Sequence, residues 1–117
     1  MPNSSLPYAF ARLHACAALL VAVLLPAAAH AGQEVVVSQK NKAFSTTALT
    51  IHVGDKVSFR NDDAFVHNVF SLTDAMPFDL GTAPQGQAKS IAFNKPGKFE
   101  IECAIHPEMR MIVTVTP

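Results

Sequence analysis

The segment KFEIEC, Lys98 to Cys103, alternates without a break. Phe99, Ile101 and Cys103 fall on one face, and Lys98, Glu100 and Glu102 on the other. A two-residue period of this kind marks a strand with one face in a core and one in water. The same period recurs from residue 32 onward. EVVVSQ (Glu34 to Gln39) predicts a first strand, and LTIHV (Leu49 to Val53) a second with Leu49, Ile51 and Val53 inward. KVSFRN (Lys56 to Asn61) turns Val57 and Phe59 the same way, and FVHNVF (Phe65 to Phe70) does so with Phe65, His67 and Val69. AKSIAF (Ala88 to Phe93) and MIVTVT (Met111 to Thr116) complete the set. Gly54-Asp55, Asn61-Asp62-Asp63 and NKPG (Asn94 to Gly97) punctuate these runs as turns. SLTDAMPFDLG (Ser71 to Gly81) reads as a looser stretch and TAPQGQ (Thr82 to Gln87) as a connection. No segment carries a 3.6-residue period. Seven or eight short strands at close spacing predict an all-β domain, a Greek-key β-sandwich.

The N-terminal quarter follows different rules. Arg12 gives a weakly positive start, Ala15 to Leu25 is apolar, Pro26 closes the run, and AAAHA supplies small residues at the spacing of a cleavage site. Residues 1–31 therefore read as a secretory signal peptide cleaved after Ala31, and residues 32–117 as the functional domain. The apolar run is about half the length that spans a bilayer, which argues against a retained membrane anchor. Cys16 lies at the very start of that run instead of following it, so a lipoprotein signal fits badly.

Removal of the leader leaves 86 residues with eight Lys/Arg against nine Asp/Glu. That balance offers no basic footprint for nucleic acid and no polybasic patch for a membrane. It also leaves His52, His67 and His106 as the histidines and Cys103 as the lone cysteine. Small exported domains use cysteines in pairs as staples. A domain of this size buries only ~60–65% of its unfolded surface. With no disulfide available, a bound metal is one of the few stabilisers left.

The segment CAIHPEM, Cys103 to Met109, places a thiol, an imidazole and a thioether at three-residue spacing. Each has an ordinary reading taken alone. Cys103 is then a small buried hydrophobe, His106 a surface histidine, Met109 a core plug, and His67 a core histidine bonded to a backbone carbonyl. Their joint occurrence points elsewhere. Two imidazoles, a thiolate and a thioether make up the trigonal His₂Cys site with a weak axial Met that holds an electron-transfer copper. His52 faces outward and reads as a surface residue. Met76 and Phe78 read as packing, and Asp62-Asp63 as turn residues.

The run CAIHPEMRMIVTV, together with HNV at His67 to Val69, resembles the type 1 (blue) copper cupredoxins of the amicyanin and plastocyanin group. The resemblance covers essentially all of residues 32–117. It implies a cupredoxin-like Greek-key β-sandwich and one copper ion cycling between Cu(I) and Cu(II). It also implies ligands at His67, Cys103, His106 and Met109. Asn68 would tie the first histidine's strand to the cysteine loop. Loop length leaves Met111 as the alternative axial ligand; the phase of Val113-Thr114-Val115 with the strand that follows that ligand in the family favours Met109. Ile105 stands where a proline is usual, and Glu108 where an aromatic is.

What the resemblance implies is a monomeric periplasmic one-electron carrier. A dehydrogenase or cytochrome would dock near His106, with Ile105 and Pro107 as an apolar rim and Glu108 as a charge on that face. The alternative is a periplasmic copper carrier or chaperone with no electron-transfer role. An enzyme is not expected, because a second copper centre needs more histidines than His52 alone supplies, and there is no CxxC or CxxCH. A structural domain with a free thiol is the remaining reading.

Overall fold

A computed structural model of the chain describes residues 1–5 and 21–117. Arg12, Cys16 and the first part of the apolar run lie outside the described residues. Among the described residues there is no helix, and none long and apolar enough to cross a membrane. Nine strands form in chain order: β1 (Glu34–Lys40), β2 (Ala43–Phe44), β3 (Ala48–His52), β4 (Lys56–Asn61), β5 (His67–Ser71), β6 (Phe78–Ala83), β7 (Ala88–Ala92), β8 (Gly97–Glu102) and β9 (Arg110–Thr116). They build two sheets, ordered β2-β1-β4-β7 and β3-β9-β8-β5-β6.

The all-β sandwich stands as expected, with two strands beyond those read from the alternation. β2 is two residues long, too short for any period to register. β6 arises inside the stretch read as loose, where Pro77 precedes it and Gly81 takes a positive φ of 71°. It is an edge strand paired only with β5 within its sheet, and a register shift between Asn68 and Phe70 marks a bulge there.

Alternation decides what fills the space between the sheets. Val57 and Phe59 from β4, Phe99 and Ile101 from β8, and Val113 from β9 are fully buried, while Lys56, Arg60, Lys98 and Glu100 face water. Phe93 joins them just past β7, its ring centroid 5.3 Å from that of Phe99 in an edge-on arrangement. Each of these aromatic burials removes apolar area worth ~1.5–3 kcal/mol. No buried side-chain nitrogen or oxygen among the described residues lacks a hydrogen-bond partner.

One expected orientation is corrected. The strand predicted over Phe65 to Phe70 begins only at His67, so Phe65 and Val66 lie in the preceding loop, 41% and 44% exposed. The cause is Asn61, whose Nδ2 donates to the carbonyl oxygens of Phe65 and Ala83 at 2.8 Å each. The first of those bonds takes the Phe65 carbonyl that a longer β5 would offer to a ladder, and Phe65 lies at the surface. His67 and Val69 keep their inward positions.

Candidate metal centre

Three chain connections meet at one end of the five-stranded sheet. β5 starts with His67, β8 ends one residue before Cys103, and β9 starts one residue after Met109. The β8–β9 ladder pairs Ile101 with Met111 and Glu102 with Arg110. Continued by one pair, that register sets Cys103 across from Met109. Met111 sits one layer deeper, beside Ile101. Both methionines are 1% exposed, and so is Cys103. A turn in which the Met109 amide donates to the His106 carbonyl at 2.9 Å closes the loop between the two strands.

The side chains converge. Cys103 Sγ lies 3.9 Å from Nδ1 of His67 and 3.9 Å from Nδ1 of His106. All three donor atoms fall within 4.8 Å of one another. Donors ~2.0–2.3 Å from one ion in a trigonal plane are about 3.7 Å apart, so the spacing fits an ion held among them. His67 is fully buried and His106 partly so, their ring centroids 4.9 Å apart. The sulfur also accepts a hydrogen bond from the Asn68 amide at 3.4 Å.

The ring nitrogen of His67 that faces away from the sulfur explains its tautomer. Nε2 lies 2.7 Å from Oδ2 of Asp63. Burial opposes the charge on Asp63, but the His67 bond and the amides of Asn41 and Lys42 outweigh it and hold the carboxyl at about 2. An ionised carboxylate only accepts, so Nε2 carries the proton and Nδ1 is left with a lone pair for a metal. The two amides come from the tight β1–β2 hairpin, where Asn41 and Lys42 adopt φ of 53° and 54°. That is the left-handed pair of a type I′ turn, and its N–H groups point at Asp63.

Sequence reading placed Asp63 only in a turn. The signal that marks it is a carboxylate four residues before an imidazole that must be buried and therefore needs an acceptor. Its neighbour Asp62 has the expected local role, paired with Arg60 at 2.9 Å. Asn68 makes the bond expected of it, its Oδ1 accepting from the Ala104 amide at 3.2 Å. Asp79 from the unexpected β6 fixes that amide's orientation, accepting from Asn68 Nδ2 at 2.8 Å. His52 is exposed and takes no part in this cluster, and Met76 packs against the core.

The rim around His106 is apolar. The Phe65 ring centroid is 5.3 Å from that of His106, and Val66, Ile105 and Pro107 are exposed. Lys42 Nζ stands 5.8 Å above the Phe65 ring. With Glu108 also exposed, the rim region carries both signs of charge.

A β-sandwich with a cysteine sulfur, two imidazoles and a thioether set at one end defines a type 1 copper protein. Residues 31–116 match the family described as copper binding proteins, plastocyanin/azurin family, and the chain belongs to it. Among curated proteins, the amicyanin of Paracoccus denitrificans is 32% identical over 84 residues, covering 69% of this chain and 64% of its own length. The plastocyanin of Ginkgo biloba is 32% identical over 87 residues, covering 62% of this chain and 87% of its own. This chain thus spans somewhat under two thirds of that amicyanin. The fold is similar to that of a reduced amicyanin variant, with a TM-score of 0.67 and 29% identity, covering 71% of this chain and 82% of that one. It is also similar to part of a copper-containing nitrite reductase from Thermus scotoductus SA-01, with a TM-score of 0.68 and 29% identity, covering 81% of this chain but 25% of the reductase.

Proposed function

We propose that this chain is an exported one-electron carrier with a single copper held by His67, Cys103, His106 and Met109. Residues 1–31 are then a leader removed on the way to the periplasm, and residues 32–117 the copper domain. The observation that carries the reading is the buried Cys103 sulfur, 3.9 Å from the metal-facing nitrogen of each of two imidazoles. When bound, copper supplies the Cu(II)/Cu(I) couple.

The residues of the chain keep the donors where they are. Asp63 holds the His67 ring, and Asn68 ties β5 to the Cys103 loop through the Ala104 amide. The β8–β9 ladder grips the two ends of the loop. Donors fixed this way rearrange little between two charge states, which favours fast exchange. His106 is the donor whose ring reaches the surface. Its apolar rim of Phe65, Val66, Ile105 and Pro107 suits brief docking by a redox protein such as a dehydrogenase or cytochrome, without the large apolar contact of a permanent complex. The carrier works as a monomer and has no reaction of its own. In support, His52 is the one further histidine of residues 32–117, and it lies at the far end of β3.

Voltammetry of the copper-loaded protein tests this reading. A reversible one-electron wave that persists through repeated cycles is expected. Loss of the metal on reduction would instead identify a copper carrier that binds and releases its cargo.

A further inference from the structure

His106 is the donor with the fewest side-chain restraints. His67 is oriented through its second ring nitrogen by Asp63. The Nδ1 of His106 faces Cys103 Sγ at 3.9 Å, and among the described residues no group accepts from its Nε2. Apart from the Phe65 ring beside it, packing does little to hold it. Ala104, Ile105, Pro107 and Glu108 are exposed, and the loop reaches the core only at its ends, Cys103 and Met109. A backbone with so few buried contacts opens readily unless hydrogen bonds restrain it.

Two side chains from outside the loop grip its backbone, one on each side of His106. Asn68 Oδ1 accepts from the Ala104 amide at 3.2 Å. On the other side, Arg110 Nε donates to the Pro107 carbonyl at 3.3 Å. The guanidinium is held at both of its remaining nitrogens, Nη1 by Glu100 Oε1 at 2.9 Å and Nη2 by Glu102 Oε1 at 3.0 Å. Strand register brings these groups together. Glu102 lies directly across from Arg110, and Glu100 is two residues back on the same outer face of β8. Ion pairs as exposed as these contribute little to stability. Their effect is geometric: a planar fork pinned at both tips leaves Nε one direction in which to donate.

We propose that Arg110 is a positioning residue for His106. Held by Glu100 and Glu102, it fixes the Pro107 carbonyl against β8, and with it the segment that carries the exposed donor. The proposal rests on the copper reading of the Cys103 centre and adds to it a residue that touches neither a donor atom nor the metal. Without the fork the loop keeps its own turn, in which the Met109 amide donates to the His106 carbonyl, but it loses its tie to β8. His106 then moves away from the other three donors more often, and copper leaves sooner. A lysine cannot stand in, because an ammonium has no fixed plane with which to hold two carboxylates and a carbonyl at once.

The test compares Arg110→Ala and Arg110→Lys with the unsubstituted exported protein. The Arg110 side chain is 59% exposed, so the metal-free variants should unfold at the same denaturant concentration as the parent. Transfer of copper to a chelator is expected to be about tenfold faster in both variants, the low end of the range for groups that orient a ligand. Equal transfer rates in all three proteins would overturn the proposal. So would a parent-like rate in Arg110→Lys, which would leave charge as the whole contribution, or a fall in metal-free stability large enough to explain the faster loss. A second readout needs no metal: nuclear magnetic resonance relaxation of the Ile105, His106 and Glu108 amides in the metal-free proteins. Greater motion in both variants is expected, and unchanged motion would contradict the proposal. A parent that binds no copper would count against the carrier reading alone, because the amides still report on Arg110.

Discussion

Asp63 is where one side chain sets the properties of another. It has three partners: His67 Nε2 at 2.7 Å and the amides of Asn41 and Lys42 at 2.8 and 3.2 Å. Partners of this kind orient a ligating imidazole and raise its basicity, and their loss costs about 10–100-fold in metal affinity. Asp63→Asn is expected to weaken copper binding within that range. It should also raise the reduction potential, because a less basic imidazole stabilises Cu(II) less. Competition with a copper chelator and voltammetry check both; an unchanged affinity and potential would show that His67 is held by packing alone. The inward direction of His67 was legible from the parity of its strand. Its carboxylate partner was not, because that contact runs through the loop before β5 and through a hairpin turn, and neither has a period to read. Phe65 was misplaced for a related reason: the alternation was extended two residues ahead of His67, into the loop whose Phe65 carbonyl Asn61 holds.

Among the elements, the β8–β9 pair is what bears on the choice between the two methionines. Its register sets Met111 across from Ile101 and, continued one step past Glu102 and Arg110, brings Met109 level with Cys103. The two substitutions should therefore separate. Met111→Ala opens a cavity beside Ile101 and Val113 and is expected to cost about 2–5 kcal/mol of stability, with the reduction potential little changed. Met109→Ala is expected to shift the potential by much more, because it removes the proposed axial ligand. Denaturant unfolding of the metal-free variants and voltammetry of the loaded ones provide the comparison, and a larger potential shift in Met111→Ala would exchange the two roles. The phase of Val113 to Val115 carried this choice in the sequence. β6 gave no such signal. An edge strand with Asp79, Gly81 and a bulged partner has neither a clean period nor a continuous ladder, yet it supplies the carboxylate that orients Asn68.

At the scale of the whole molecule, the two sheets bury one aromatic and aliphatic core, and the donors cluster where β5, β8 and β9 meet their loops. That division was readable because seven of the strands keep a two-residue period while CAIHPEM breaks it with three candidate donor side chains in seven residues. Reconstitution of residues 32–117 with Cu(II), read by visible absorption, tests whether Cys103 is a copper ligand. An intense blue thiolate-to-copper band that disappears in Cys103→Ser is expected. A colourless complex, or a band that survives the substitution, would contradict it.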